Sequence, residues 1–479
     1  MSAANDNNAW LATVLGLGSN GTNFSGEYVF VAEKDRGIRA IRVTVGYEPR
    51  PVIGSNLHRV AFPKDYESFA AGRRQLRISA SSSATSPKSI SVWGEYALVA
   101  DGPSGLRVYD VANVDNKSVA QKIVPGSTSP VQVAGNAVGT AFGAEMRVPS
   151  TNATYVALPS TVPMDLDRKA LPENQEQPIA QLFRYAYVTD SVEGLIVVDV
   201  NTLQDGNNTN NYLTRAATFN PNGALKGANH IKIAGNYAYI LSEETGLHVV
   251  NISNPTSPRM VAHIGAPGIV RPRALNIQFR YAFVVDGEGM KVVDVTAPEK
   301  PRLTPAKVAI GDARDVYPFR TYALVAAGKQ GLAIINVERP DKPGAPTFFN
   351  AGGAMNDVSA VTVGATYASQ FAYVADGVNG LRVVRLIEPP FTPGHLGFSP
   401  RPTPELVATF RRGGNIIAIS DVPKRDRAVD ESGNQIGISN RVGAHPLNGG
   451  NISRMIQTQG RLNIVENSIP PPHRINPLP

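Results

Sequence analysis

Five polar side chains stand at one recurring place in this chain of 479 residues. His230, Arg273, Arg314 and Asp315 lie seven or eight positions before an aromatic (Tyr237, Tyr281 or Tyr322), and Asp357 takes the same place before Phe371 once a longer connection in its unit is allowed for. An imidazole, guanidinium groups and carboxylates converging on one opening form an acid–base set or a polar ligand site. The plainer reading, in which Arg314 and Asp315 pair and solvate the opening, is favoured, because a fold does not by itself imply a function. No stronger constellation competes with them. There is no G-x-S-x-G elbow, no H-E-x-x-H and no phosphate loop, and the seven histidines are spread singly from His58 to His473. The absence of cysteine removes disulfides, thiolate metal sites and covalent c-type haem. The acids between Asp426 and Glu431 do not have EF-hand spacing, and the Asp-Gly pairs at Asp101, Asp286 and Asp376 are explained by hairpin chemistry. Neither a metal nor a cofactor is therefore expected.

The elements that would position those five residues are hairpins. YALVADGPSGLRVYDV at 96–111 returns as FAYVADGVNGLRVV at 371–384, and the same unit opens at Tyr28, Tyr185, Tyr237, Tyr281 and Tyr322. The aromatic stands nine residues before a glycine in six copies and eight in the fifth, while the glycine-to-glycine step varies from 42 to 89. A fixed hairpin inside variable surroundings means that the turn is under geometric constraint. Ahead of each hairpin comes a short apolar strand, and behind it a Pro-punctuated turn and a fourth strand, as in Asn254-Pro255-Thr256-Ser257-Pro258 followed by Met260–Ile264. Four strands and a shortest step near 42 residues suit one propeller blade. Continuous apolar runs such as Leu195-Ile196-Val197-Val198 are buried on both faces, as stacked blades require. The expected fold is an all-β seven-bladed β-propeller of four-stranded antiparallel blades, with eight blades as the alternative.

GLIVVDV at 194–200, GLHVVNI at 246–252 and GMKVVDV at 289–295 carry a family resemblance. With the preceding Tyr-Ala-x-Val-x-Asp and the following Pro-x-x-Pro, the pattern resembles the LVIVD-repeat proteins over about residues 26–386. That resemblance implies an extracytoplasmic bacterial or archaeal propeller (periplasmic, secreted or at the cell surface) without an assigned chemistry. The first and last copies, GIRAIRV and GLRVVRL, put Arg42 and Arg385 where the family has an acid. The block from PGHLGFSP to DRAVDESGNQ is similar to the end of propeller regions that accompany multihaem cytochrome segments.

The expected organisation is a propeller over 1–415, with insertions at about 51–88 and 115–177, and a C-terminal extension over 416–479. Within 387–415, LVATF reads as a displaced fourth strand of the last blade, and ATVLGL near the N-terminus as a strand that clasps the ring. The N-terminal stretch lacks the charged region of a signal peptide, and no run approaches the roughly twenty apolar residues of a membrane span. The net charge of +7 comes from Lys and Arg scattered through the copies, so no nucleic-acid partner is expected. The two polar insertions fall between neighbouring blades and are the first candidate for a partner surface. The functional expectation is a non-enzymatic interaction or assembly scaffold that binds another protein or itself, with a multihaem cytochrome as one candidate. The alternative is a lactonase-like or sugar-processing hydrolase with its site at the channel mouth.

Overall fold

A computed structural model describes residues 28–34, 37–42, 77–81, 84–93, 96–110, 132–133, 145–158, 185–203, 213–366, 369–387, 391–394, 397–411, 414–420, 457–458 and 461–462. They form seven antiparallel blades. Blade 4 shows the unit: Ala228–Ala234 is innermost, followed outward by Tyr237–Ser242, Gly246–Asn251 and Arg259–Ile264. Blades 5, 6 and 7 repeat this order from Ala274, Asp315 and Ala360, and blade 3 repeats it from Ala153. Blade 2 begins at Ser89 and gains a fifth, two-residue strand, Gln132–Val133, on its outer edge.

The ring closes through blade 1. Its three outer strands, Tyr28–Glu33, Gly37–Arg42 and Arg77–Ser81, come from the start of the chain, but its innermost strand is Ile416–Ile419. Ile416 N–H donates to Gly377 O of blade 7 at 3.0 Å, and Ser420 N–H donates to Phe30 O at 2.8 Å, so this strand ties the last blade to the first. The propeller therefore runs past the expected boundary at 415. The proposed ATVLGL clasp lies outside the described residues, whereas Glu405–Phe410 is the outer strand of blade 7, as its LVATF pattern indicates.

Each pair of neighbouring blades shares one apolar cluster. Val29, Val31 and Ile416 of blade 1 pack with Phe371, Tyr373 and Phe410 of blade 7, and Tyr239 and Leu247 of blade 4 pack with Leu275 and Val284 of blade 5. Seven such clusters run round the ring among the described residues. Burial against two neighbours is why the middle strands read as unbroken Val, Ile and Leu.

The topology corrects the extent of the insertions. Residues 115–177 contain the fourth strand of blade 2 (Glu145–Val148) and the innermost strand of blade 3 (Ala153–Ala157). Two separate connections replace the single insertion, one over 111–144 and one over 158–184. In the same way 51–88 contains Arg77–Ser81, which leaves 43–76 as the connection in blade 1. Because the strands alternate in direction, links from strand 1 to 2 and from strand 3 to 4 emerge on one face. Links from strand 2 to 3, and from strand 4 to the next blade, emerge on the other. The connections 43–76, 111–144, 158–184 and 388–404 all belong to the first face, and Ser420 ends there too. On the other face the longest link is 350–359.

Candidate functional site

The tight face is organised by the residue that opens each hairpin turn. Asp376 is fully buried; its Oδ1 accepts the backbone N–H of Asn356 (3.1 Å) and Asp357 (2.8 Å), and its Oδ2 receives Arg382 Nε at 3.0 Å. Arg382 is equally buried and also reaches Thr409 Oγ1 at 2.9 Å and Ala354 O at 2.5 Å. Asp101 with Arg107 (2.6 Å), Glu33 with Arg39 (3.0 Å) and Asp286 with Lys291 (2.7 Å) repeat the pair in blades 2, 1 and 5. Asp190 of blade 3 lacks the cation, having Ile196 at that position, and accepts Asn152, Val192 and Glu193 N–H instead. Blade 4 substitutes Ser242 and His248, and blade 6 has Ala327 and Ala333. Asp101, Asp190, Asp286 and Asp376 thus clamp the link that leads into the first strand of their own blade. The carboxylates of Asp101, Asp286 and Asp376 are used in structure, which accounts for the Asp-Gly turns.

The glycine that closes the same turn is fixed by contact as well as by φ. At Gly380 (φ +94°) a Cβ would collide with Phe410 O of the outer strand, and Gly105, Gly246, Gly289 and Gly331 face the corresponding carbonyl in their blades. This close approach requires glycine at the end of the turn, while the outer connections vary.

The five sequence candidates separate into three settings. Arg273, Arg314 and Asp357 come together in the links into blades 5, 6 and 7, joined by Asp312, which the sequence reading did not include. Arg273 Nη1 meets Asp312 Oδ1 at 2.8 Å, Arg314 Nη2 meets Asp312 Oδ2 at 2.7 Å, and Arg314 Nη1 meets Asp357 Oδ1 at 2.7 Å. Hydrogen bonding to Arg314 is the main reason why the Asp312 carboxyl is held below its ordinary range. Asp315 does not pair with Arg314. Its Oδ1 accepts Val316 N–H at 2.9 Å and its Oδ2 accepts Val361 N–H of blade 7 at 3.0 Å, so it staples two inner strands. His230 turns inward: it is 5% exposed, lies with its ring centroid 4.0 Å from that of Tyr155 on the blade 3 inner strand, and burial holds its pKa well below the ordinary value. The set thus consists of four alternating charges that satisfy one another and an imidazole buried against Tyr155. No group of three or more His, Cys, Asp or Glu side chains placed to hold a metal occurs among the described residues.

The opposite face carries features of another kind. Phe279, in the strand 1 to 2 turn of blade 5, is 70% exposed at φ 52°, where blade 4 has Gly235 at φ 56°. A non-glycine residue in that left-handed region costs about 1–2 kcal/mol. The next turn repeats the conformation with Arg320 at φ 52°. Gln278 Nε2 donates to Arg320 O at 2.9 Å, and Arg320 Nη1 donates to Phe398 O at 2.9 Å, so the blade 5 turn, the blade 6 turn and the blade 7 connection form one continuous surface. Phe398 is 85% exposed on it. Beside it Arg385, standing where the repeat has an acid, pairs with Glu405 and lies over the Phe391 ring at 4.2 Å. In the regular copies that position is Asp199, Asn251, Asp294 or Asn336, whose side chain accepts the N–H two residues on. Blade 7 instead spans this position with a long connection.

The LVIVD repeat model matches residues 85–118, 184–212, 227–264, 275–305 and 368–385. The chain carries LVIVD repeats. The matches fall in blades 2, 3, 4, 5 and 7, and blades 1 and 6 depart from the pattern at Arg42 and at the Ala327–Ala333 pair respectively. A comparison with curated protein sequences finds no match. Among solved structures, the chain is similar to a functionally unknown protein from Desulfotomaculum acetoxidans at 11% identity and a TM-score of 0.46, covering 82% of this chain and 99% of that one. It is also similar to the computationally designed Ika8 protein (9% identity, TM-score 0.44, 83% and 88% covered) and to Citrobacter koseri AztD (14%, 0.38, 82% and 96%). No helix among the described residues is long and apolar enough to cross a membrane.

Proposed function

We propose that this propeller is a non-enzymatic interaction scaffold that holds a partner protein on its long-connection face. The observation that carries this reading is the asymmetry of the two faces. One has only short links, and the other gathers every long connection together with exposed phenylalanines. Surface loops on a rigid frame are the usual place for recognition, and exposed aromatics are the usual anchors. A stable protein contact needs on the order of 800 Å² per partner, which a broad loop-bearing face supplies and a channel mouth does not. In this reading the protein works outside the cytoplasm, supported by the absence of cysteine and by the resemblance to LVIVD-repeat proteins, and a multihaem cytochrome or a second copy is a candidate partner. The test is chemical crosslinking in native extract of three proteins: the intact chain, a chain with 43–76 and 159–184 replaced by short turns, and an R273A/R314A chain. Capture lost only in the shortened chain is the expected result. Capture lost only in the R273A/R314A chain would overturn the proposal.

A further inference from the structure

On the tight face Arg273 and Arg314 are bound to carboxylates. On the long-connection face the side chains of Arg280 and Arg401 are exposed and make no hydrogen bond or ion pair with any described residue. Arg280 follows Phe279 in the same turn. Arg401 lies three residues after Phe398. Arg320 is bonded to the carbonyls of Gly397 and Phe398, which ties the phenylalanine's backbone to the blade 6 turn. The Phe279 backbone adds a third observation, since a bulky exposed residue occupies a conformation that suits glycine. The ring buries little against the described residues. An outlier of this kind points to a role outside the fold.

We propose that this patch of blades 5 to 7 docks an acidic segment of a partner protein, with an apolar side chain of that segment seated between Phe279 and Phe398 and its carboxylates on Arg280 and Arg401. The inference rests on the scaffold reading and names the chemistry of its partner. Guanidinium groups bind carboxylates in a planar, two-pronged fashion, and a guanidinium beside an aromatic ring is a recurrent interface anchor. A nucleic acid fits less well. Proteins held by the phosphate backbone commonly neutralise about six to ten phosphates, and this patch offers two free guanidiniums. An anionic bilayer is recruited by clusters of roughly four to eight basic residues, which the patch also lacks.

The test uses the full chain and a fluorescein-labelled 12-residue peptide that carries five Glu around one Trp and one Leu. A twin in which every Glu is Gln, a single-stranded 12-nucleotide DNA and phosphatidylserine vesicles serve as the other probes, and anisotropy or co-sedimentation is the readout. The acidic peptide is expected to bind at least tenfold more tightly than its Gln twin, and R280E/R401E and F279G/F398S are each expected to weaken it at least tenfold. F279G alone separates recognition from folding: it should lose affinity while its melting temperature stays level or rises. Equal binding of the two peptides, or affinity that survives both double variants, overturns the proposal. So does patch-dependent binding of DNA or vesicles without peptide binding, self-association that the variants abolish, or peptide binding that emerges only after 159–184 is removed. If the peptide fails but the native capture described above still depends on the long-connection face, the acidic chemistry is wrong and the scaffold stands. If that capture is also indifferent to the face, both fall.

Discussion

Replacing Arg382 by Met tests whether the buried acid–cation pair holds a blade together. Arg382 and Asp376 are 1% and 0% exposed, so water cannot take the place of a lost partner. Methionine preserves much of the side-chain volume but removes the guanidinium from Asp376, Thr409 Oγ1 and Ala354 O. Asp376 would keep only two backbone donors, Asn356 and Asp357 N–H. Breaking a buried pair in this way typically costs about 3–5 kcal/mol, because a charge is left without its counter-charge. Blade 6 shows what happens when both are absent: Ala327 and Ala333 are fully buried and pack without charge. The D376A/R382M double variant should therefore be less destabilised than the sum of the single variants by about 2 kcal/mol or more, the coupling expected of residues in contact. The assay is urea unfolding of the four proteins at pH 7, followed by intrinsic fluorescence. A loss below about 1 kcal/mol in R382M, or additive single and double effects, would refute the idea that the pair clamps the link into blade 7.

Three further outcomes follow from the same geometry. Gly380→Ala should cost about 2–4 kcal/mol in the same urea assay, from left-handed strain together with the collision at Phe410 O, whereas Gly352→Ala, also at positive φ but with open space around it, should cost only the strain. His248, whose pKa burial and then His263 bring down to about 4 from 6.5, stays neutral when folded while the unfolded chain protonates; stability should fall by about 3 kcal/mol as pH drops from 6.5 to 4, and His248→Gln should flatten that part of the profile. Arg314→Gln, in a half-exposed ion string, should cost only about 0.5–1 kcal/mol, measured as a loss that shrinks in 1 M salt.

The hairpins were legible because their constraint is local. A glycine jammed against the neighbouring carbonyl and a double-sided apolar strand both leave a mark within a dozen residues, so the unit and its seven copies can be found by spacing alone. The acid–cation clamps left the same kind of mark, at Asp101 and Arg107 or Asp376 and Arg382, six residues apart in the quoted repeats. They are readable as pairs once the hairpin register is known. Asp312 was missed because it lies in a link of variable length, outside the repeat register, and only the fold brings it between Arg273 and Arg314. His230 was misplaced for a related reason: an offset from an aromatic fixes the strand position but not the side to which the chain turns it, and a register shift lies between Ala228 and His230.

Which connections share a face is invisible in any single copy and follows from counting strands. Residues 115–177 look like one polar insertion until Glu145–Val148 and Ala153–Ala157 are recognised as strands of two different blades. With those strands in place, 111–144 and 158–184 become a strand 3 to 4 link and a strand 1 to 2 link, and strand alternation sends both to the same side. Deleting 115–177 as a block would therefore remove the fourth strand of blade 2 and the innermost strand of blade 3, and open the ring. Shortening 159–184 alone spares every described strand. The contrast between the two deletions measures the topology: the block deletion should yield an unfolded or aggregated chain, while the shorter one should keep the β-sheet circular dichroism of the intact protein. A folded, monomeric product of the block deletion would show that the ring does not need those strands, and the assignment of connections to faces would fail with it.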